Sequence, residues 1–223
     1  MAKKKARIPE TLFGRLCLVT PAGFDADCFA PVLDEALRSG DVATLILDLA
    51  GLSAADGLAA AERLVPIAQA NGVAAIIVDD VSIARASGAD GIQVEGDHAE
   101  LRRATEAFHP DAIVGASGLR TRHEAMLAGE TECDYLFFGR LDGDTSEAIF
   151  DKALDMAAWW SAVFEIPAIV MGGNSVASVI EAVDARVEFV ALRSAIWNHA
   201  EGAAAAVTEA NRLIAARQAE AVT

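Results

Sequence analysis

The sequence predicts an α/β fold, a single-domain TIM (β/α)8 barrel, and three observations carry that prediction. Eight short apolar runs alternate with longer helical patterns along 223 residues. The runs are continuous instead of alternating apolar with polar, which marks strands buried on both faces, as in a parallel sheet covered by helices. Eight such units at this length suit one closed barrel with one substantial core, and no second domain is needed.

Taken in order, the strands are expected at Leu16–Thr20, Ala43–Asp48, Ala74–Val78, Gly91–Val94, Ala112–Ala116, Tyr135–Gly139, Ala168–Met171 and Val187–Leu192. Each is short and rich in Val, Ile, Leu, Ala or Phe. The helical patterns between them are Asp25–Ser39, Ala54–Ala70, Val81–Ser87, Ala99–Phe108, Arg120–Ala128, Ser146–Val163 and Ser175–Val183, with a last helix at about Ala200–Ala219. Trp159, Trp160 and Phe164 read as the face of the sixth helix that packs on the barrel. The barrel is expected over 14–219, between a basic N-terminal tail at 1–13 and a short C-terminal tail at 220–223. The rival architecture, a doubly wound open sheet, is weakened because the first strand–helix junction lacks G-x-G-x-x-G.

Composition excludes several partners. A formal net charge of −15 argues against nucleic acid and anionic membrane surfaces. Lys3, Lys4 and Lys5 lie in the tail and Lys152 is the only other lysine, so phosphate chemistry has to rest on arginine, backbone N–H groups or metal. Cys17, Cys28 and Cys133 are widely spaced with no CxxC pair, which fits reduced thiols and a cytoplasmic protein. The tail has no apolar run after it, unlike a secretory signal, and no stretch reaches the length of a membrane span. A homo-oligomer is compatible with the apolar content and is not required by it.

In such barrels the chemistry sits at the C-terminal strand ends. Those positions read Thr20, Asp48, Asp79, Glu95 with Asp97, Ser117, Arg140 with Asp142 and Asp144, Gly172-Gly173-Asn174, and Arg193-Ser194. Gly172 and Gly173 after the seventh strand, with Arg193 and Ser194 after the eighth, match the places where these barrels often bind phosphate through backbone N–H groups and a short extra helix. A tight turn and a helix cap is the other reading. Asp79 and Asp97 are candidates for a hard cation such as Mg²⁺, which takes oxygen ligands and bridges to phosphates. Both also precede helices, where aspartate is an ordinary N-cap, and Asp80 fits the cap better than Asp79. Ser117 is a candidate hydrogen-bonding group or a plain turn residue. His98, His109, His123 and His199 have no ligand spacing among them.

Several segments together resemble the thiamine phosphate synthase family and its relatives the thiazole tautomerases. Asp79-Asp80-Val81-Ser82-Ile83-Ala84 with Gly88-Ala89-Asp90-Gly91-Ile92 is similar to the family's Asn-Asp-x-x-x-x-Ala…Gly-Ala-Asp-Gly-x-His segment. Ile113-Val114-Gly115-Ala116-Ser117 resembles its Gly-x-Ser strand, and Cys133-Asp134-Tyr135 through Gly139 its Ala-Asp-Tyr-x-x-x-Gly strand. Leu18-Val19-Thr20 resembles its opening strand. Met171-Gly172-Gly173 and Val190 through Ile196 resemble its phosphate-binding end. The likeness runs from about Leu16 to Ile214.

The resemblance implies coupling of a hydroxymethylpyrimidine diphosphate to a thiazole phosphate, with release of diphosphate and help from Mg²⁺. It would give Asp79 and Asp97 the metal, Ser117 a place beside the departing diphosphate, and Gly173 and Ser194 the thiazole phosphate. The sequence departs from the family mainly at the leaving-group end. Leu45-Ile46-Leu47-Asp48-Leu49 stands where the family has Gln-x-Arg-x-Lys, and Val78 replaces the asparagine before Asp79. Gln93-Val94-Glu95-Gly96-Asp97 stands for His-x-Gly-Gln-x-Asp and is one residue shorter. A threonine-rich loop ending in lysine has become Arg140 through Ser146, acidic and lysine-free, and the tautomerase histidine falls at about Leu119. Arg140, Arg120 and Arg193 are the candidates to replace the lost positive charge. The alternatives are a binder of a phosphorylated ligand without turnover, and a lyase or isomerase with Asp48 or Glu95 as general base.

Overall fold

A computed structural model describes residues 13–221, so the expected tail at 1–13 lies outside the described residues except for Phe13. Eight parallel strands close into a barrel in sequence order: β1 (Arg15–Val19), β2 (Thr44–Leu47), β3 (Ala74–Val78), β4 (Gly91–Val94), β5 (Ile113–Ala116), β6 (Tyr135–Phe138), β7 (Ala168–Met171) and β8 (Phe189–Leu192). Closure is made by β1 against β8, with Leu16 beside Val190 and Leu18 beside Leu192. The predicted single-domain barrel is the observed fold.

The packing explains why the strands read as continuous apolar runs. Alternate residues enter two different cores. Cys17, Val19, Ile46, Tyr135, Phe137, Ile169, Met171 and Ala191 fill the barrel interior. Leu16, Leu18, Leu45, Leu47, Ile77, Leu136 and Phe138 face the surrounding helices. Neither face of a strand is left for solvent.

Around the barrel lie α1 (Ala26–Arg38), α2 (Ala54–Ala70), α3 (Val81–Ser87), α4 (His98–Phe108), α5 (Arg122–Gly129), α6 (Asp151–Val163), α7 (Val179–Asp184), α8 (Ser194–Trp197) and α9 (Ala203–Ala221). Asp25, Ser53, Asp80, Asp97 and Thr121 each accept a backbone N–H at the start of a helix, and Asp97 and Thr121 complete reciprocal capping boxes with Glu100 and Glu124. Trp160 is buried under β6, stacks on Phe164 at 3.9 Å between ring centroids, and donates its indole N–H to the Ile166 carbonyl. The expected packing role of this face is the observed one. Cys17, Cys28 and Cys133 are all free.

Two helical expectations change. The pattern expected at Ser146–Val163 becomes a helix only from Asp151, because residues 139–150 instead form a loop docked on the end of β7. The pattern expected at Ser175–Val183 begins as a 3-10 turn at Val176–Ser178 before α7.

Candidate active site at the strand ends

The C-terminal ends of the strands open into one cleft of about 1580 Å3, walled by residues that include Asp48, Asp79, Glu95, Arg140, Lys152 and Arg193. Asp79 and Asp80 divide two roles. Asp80 caps α3 by accepting the Ile83 N–H at 2.8 Å. Asp79 takes a left-handed backbone conformation, φ 58°, uncommon for a residue with a side chain. Its carboxylate turns toward the end of β4, where Oδ1 accepts the Glu95 N–H at 2.7 Å.

This places Asp79 beside Glu95, and both carboxyls are harder to ionise than usual. Burial raises Asp79 first, with the charges of Glu100 and Asp48 adding to it, while the Glu95 N–H works the other way. Burial also raises Glu95, followed by the charge of Asp79, with Arg140 opposing. Two such acids with oxygen donors at one strand-end face suit a hard cation that keeps waters or substrate oxygens as its remaining ligands. Among the described residues no cluster of three or more His, Cys, Asp or Glu stands in metal-ligand geometry. Asp97 caps α4 by accepting the Ala99 and Glu100 N–H groups at 2.9 Å, and it is not among the residues that wall the cleft. The structure thus brings Asp79 together with Glu95, where the sequence pointed to Asp97.

The basic side chains are mostly engaged. Arg140 forks onto the Asp142 carboxylate with two 2.8 Å hydrogen bonds and holds that carboxyl below its usual range. Arg193 is buried, pairs with Asp48 at 3.2 Å, and donates to the Leu141 carbonyl at 3.1 Å. Ser117 lies buried below the cleft, its hydroxyl donating to the Val94 carbonyl at 3.3 Å.

The phosphate-binding candidates are close together but occupied by the protein. The Gly172 N–H donates to the Ala191 carbonyl at 2.8 Å and the Gly173 N–H to the Ser178 hydroxyl at 3.1 Å. A Cβ on Gly173 would lie 2.1 Å from the Glu147 carbonyl oxygen, so only glycine lets the 139–150 loop approach this closely. Ser194 gives both its N–H, at 2.8 Å, and its hydroxyl to one oxygen of Asp144.

Sequence reasoning missed the contacts of Asp48 and Asp144 and the place of Lys152. Asp48 was legible as a strand-end residue, but its pairing with Arg193 depends on barrel closure. Lys152 reaches the cleft from the start of α6, although nothing in its neighbours signalled that. Asp144 was one acid among three in a loop, and no local pattern tied it to Ser194.

A closed parallel barrel with acids, arginines and a serine–glycine end gathered at its strand termini defines a (β/α)8 barrel with one polar cleft at the place where such barrels carry their chemistry. The family model described as thiamine monophosphate synthase matches residues 16–196. The chain is 38% identical over 201 residues to the thiamine-phosphate synthase of Rhodospirillum centenum, covering 90% of this chain and 97% of that protein. It is 35% identical over 205 residues to the thiamine-phosphate synthase of Hyphomonas neptunium, covering 89% and 93%. A solved thiamine phosphate pyrophosphorylase from Pyrococcus furiosus shares the fold, with a TM-score of 0.72 and 20% identity over 91% of this chain and 96% of that one. The chain belongs to the thiamine monophosphate synthase family.

Proposed function

We propose that the protein is a transferase of thiamine biosynthesis that couples hydroxymethylpyrimidine diphosphate to a thiazole phosphate and releases diphosphate. The observation that carries this reading is the family match across nearly the whole barrel, and the cleft supplies suitable chemistry at its strand ends. In the reaction the bond from the pyrimidine methylene carbon to the diphosphate oxygen breaks, and its electron pair leaves with the diphosphate. The thiazole nitrogen supplies the pair for the new C–N bond.

The difficulty is the negative charge that builds on the leaving oxygen, which preorganised cations and donors stabilise. Mg²⁺, where bound, neutralises part of that charge. Asp79 and Glu95 are the residues we assign to hold it, because both line the cleft and a cation bound there would offset their raised proton affinity. Arg140 and Lys152 line the same cleft and are assigned to the diphosphate in place of the cations missing from the second strand. That strand has no polar reach of its own, since Leu45 and Leu47 pack outward and Ile46 fills the barrel. Gly173 and Ser194 are assigned to the thiazole phosphate, and Ser117 to support of the strand end below the diphosphate.

The test is diphosphate release measured with both substrates and Mg²⁺. We expect turnover that depends on both substrates and on the metal, and that falls by about a hundredfold or more in Asp79→Ala. Absence of diphosphate release at high enzyme concentration would refute the synthase reading. A second reading, a binder of phosphorylated thiazole without turnover, is favoured by the apolar second strand, and calorimetric binding without release would select it.

A further inference from the structure

The loop at 139–150 crosses the strand-end face where an acceptor phosphate would lie, and it makes contact with the groups such a phosphate would use. One Asp144 oxygen accepts both the Ser194 N–H and the Ser194 hydroxyl. Two residues further on, the Ser146 carbonyl accepts the Asn174 N–H at 2.8 Å, and the Glu147 carbonyl lies against Gly173. We propose that Asp144 is a specificity-determining residue for the phosphorylated acceptor, its carboxylate holding the Ser194 donors until a phosphate displaces it. This rests on the assignment of the acceptor phosphate to Gly173 and Ser194.

A carboxylate is a strange choice for a simple loop anchor here. It brings negative charge to a face that already carries Asp48, Asp79 and Glu95, and the arginines around it are committed elsewhere. Arg140 forks onto Asp142, and Arg193 holds Asp48 and the Leu141 carbonyl. A hydroxyl or carboxamide would tie the loop to Ser194 without that charge. What a carboxylate does supply is an anion on two donors, the same arrangement that a phosphate oxygen would make.

The consequence is competition. A neutral alcohol cannot match a carboxylate for two charge-assisted hydrogen bonds, whereas a phosphate dianion presents more charge and more oxygens. Asp144 therefore raises the affinity threshold for every ligand and favours phosphorylated ones. The loop is tethered at Leu141 by Arg193 and at Ser146 by Asn174. Displacing Asp144 thus moves only the few residues between those two anchors and frees the Ser194 donors while the Glu147 contact with Gly173 is kept. Apparent affinity is lowered by the fraction of molecules in which Ser194 is held.

The experiment is titration of inorganic phosphate into the wild-type chain, Asp144→Asn, Asp144→Ala and Ser194→Ala, followed by steady-state assay with thiazole phosphate. We expect both Asp144 variants to bind phosphate about tenfold or more tightly than wild type. KM for thiazole phosphate should fall by a similar factor with little change in kcat, and adding Ser194→Ala should abolish the gain. A loop anchor alone predicts the reverse, weaker binding as the loop loosens. Asp144→Asn keeps the side-chain shape, so its result decides even where the alanine variant folds poorly. If phosphate binds wild type and Asp144→Asn equally, and Ser194→Ala weakens both, the competition is refuted while the phosphate assignment stands. If no variant binds phosphate, both are refuted.

Discussion

The charge of Asp79 makes Glu95 harder to ionise, and that repulsion is a property the fold maintains at some loss of stability. Burial and like charge raise both carboxyls above their ordinary values. The folded chain therefore holds protons that the unfolded chain has already released, and stability falls as pH rises from the ordinary carboxylate range through the raised values. Replacing Glu95 with glutamine removes the repulsion. In Glu95→Gln the melting temperature near pH 7 should rise by about one or two degrees, a modest figure because solvent in the cleft screens the pair. The gain should shrink as pH falls through the raised values into the ordinary carboxylate range, where the wild-type acids take up protons. Thermal melts across this range check it, and an equal gain at both ends would exclude the electrostatic cause. At this scale the sequence was informative about Asp79 and Asp80, because two acids before a helix imply one cap and one free carboxylate. It was less informative about Glu95, since only the left-handed turn at Asp79 points that carboxylate at the end of β4 instead of at Asp97.

Between elements, the ends of β2 and β8 are joined across the end of β1. Thr20, just past β1, exchanges hydrogen bonds with the Asp48 backbone, its hydroxyl donating to the carbonyl at 3.1 Å and accepting the N–H at 2.9 Å. The Asp48 carboxylate then meets Arg193 with both side chains largely buried, 12% and 9% exposed. Removing one member of such a pair leaves an uncompensated buried charge. Arg193→Met should cost about 3 kcal/mol, while Asp48→Asn combined with Arg193→Met should cost clearly less than the single change. Urea denaturation measures both, and a single-variant loss below about 0.5 kcal/mol would mean the pair is solvated like a surface one. Strand and helix order were legible from the apolar runs, but this clamp was not, because Asp48 and Arg193 are neighbours only once the first and last strands pair. The same limit hid the true start of α6. Residues 146–150 carry a helix-compatible pattern, and contacts to Gly173 and Asn174 hold them as loop instead.

For the whole molecule, barrel closure depends on interior residues that fit without slack, and Gly115 is where the fit is tightest. A Cβ there would lie 2.0 Å from Tyr135 Cζ and 2.4 Å from its hydroxyl oxygen. Tyr135 lies in the interior core, and its hydroxyl donates to Gln93 Oε1 at 2.9 Å. Gln93 is fully buried, and its Nε2 has no hydrogen-bond partner among the described residues. The Gly-x-Ser strand was legible as a motif, yet the reason for its glycine was not, because the ring that requires it comes from the next strand. Gly115→Ala should displace the ring and leave the remaining Gln93 oxygen unsatisfied as well. Overpacking and a lost buried hydrogen bond each carry about 1–3 kcal/mol, so a loss of about 3 kcal/mol is expected, or about 6–12 °C in melting temperature. Tyr135→Phe keeps the ring and removes only the hydroxyl, so it should cost about 1–2 kcal/mol. Tyr135→Leu added to Gly115→Ala relieves the clash, so the double variant should lose less than the sum of its two single changes. Strict additivity of the two in calorimetric melts would show that Gly115 and Tyr135 do not meet in the barrel interior, and the packing argument would fall with it.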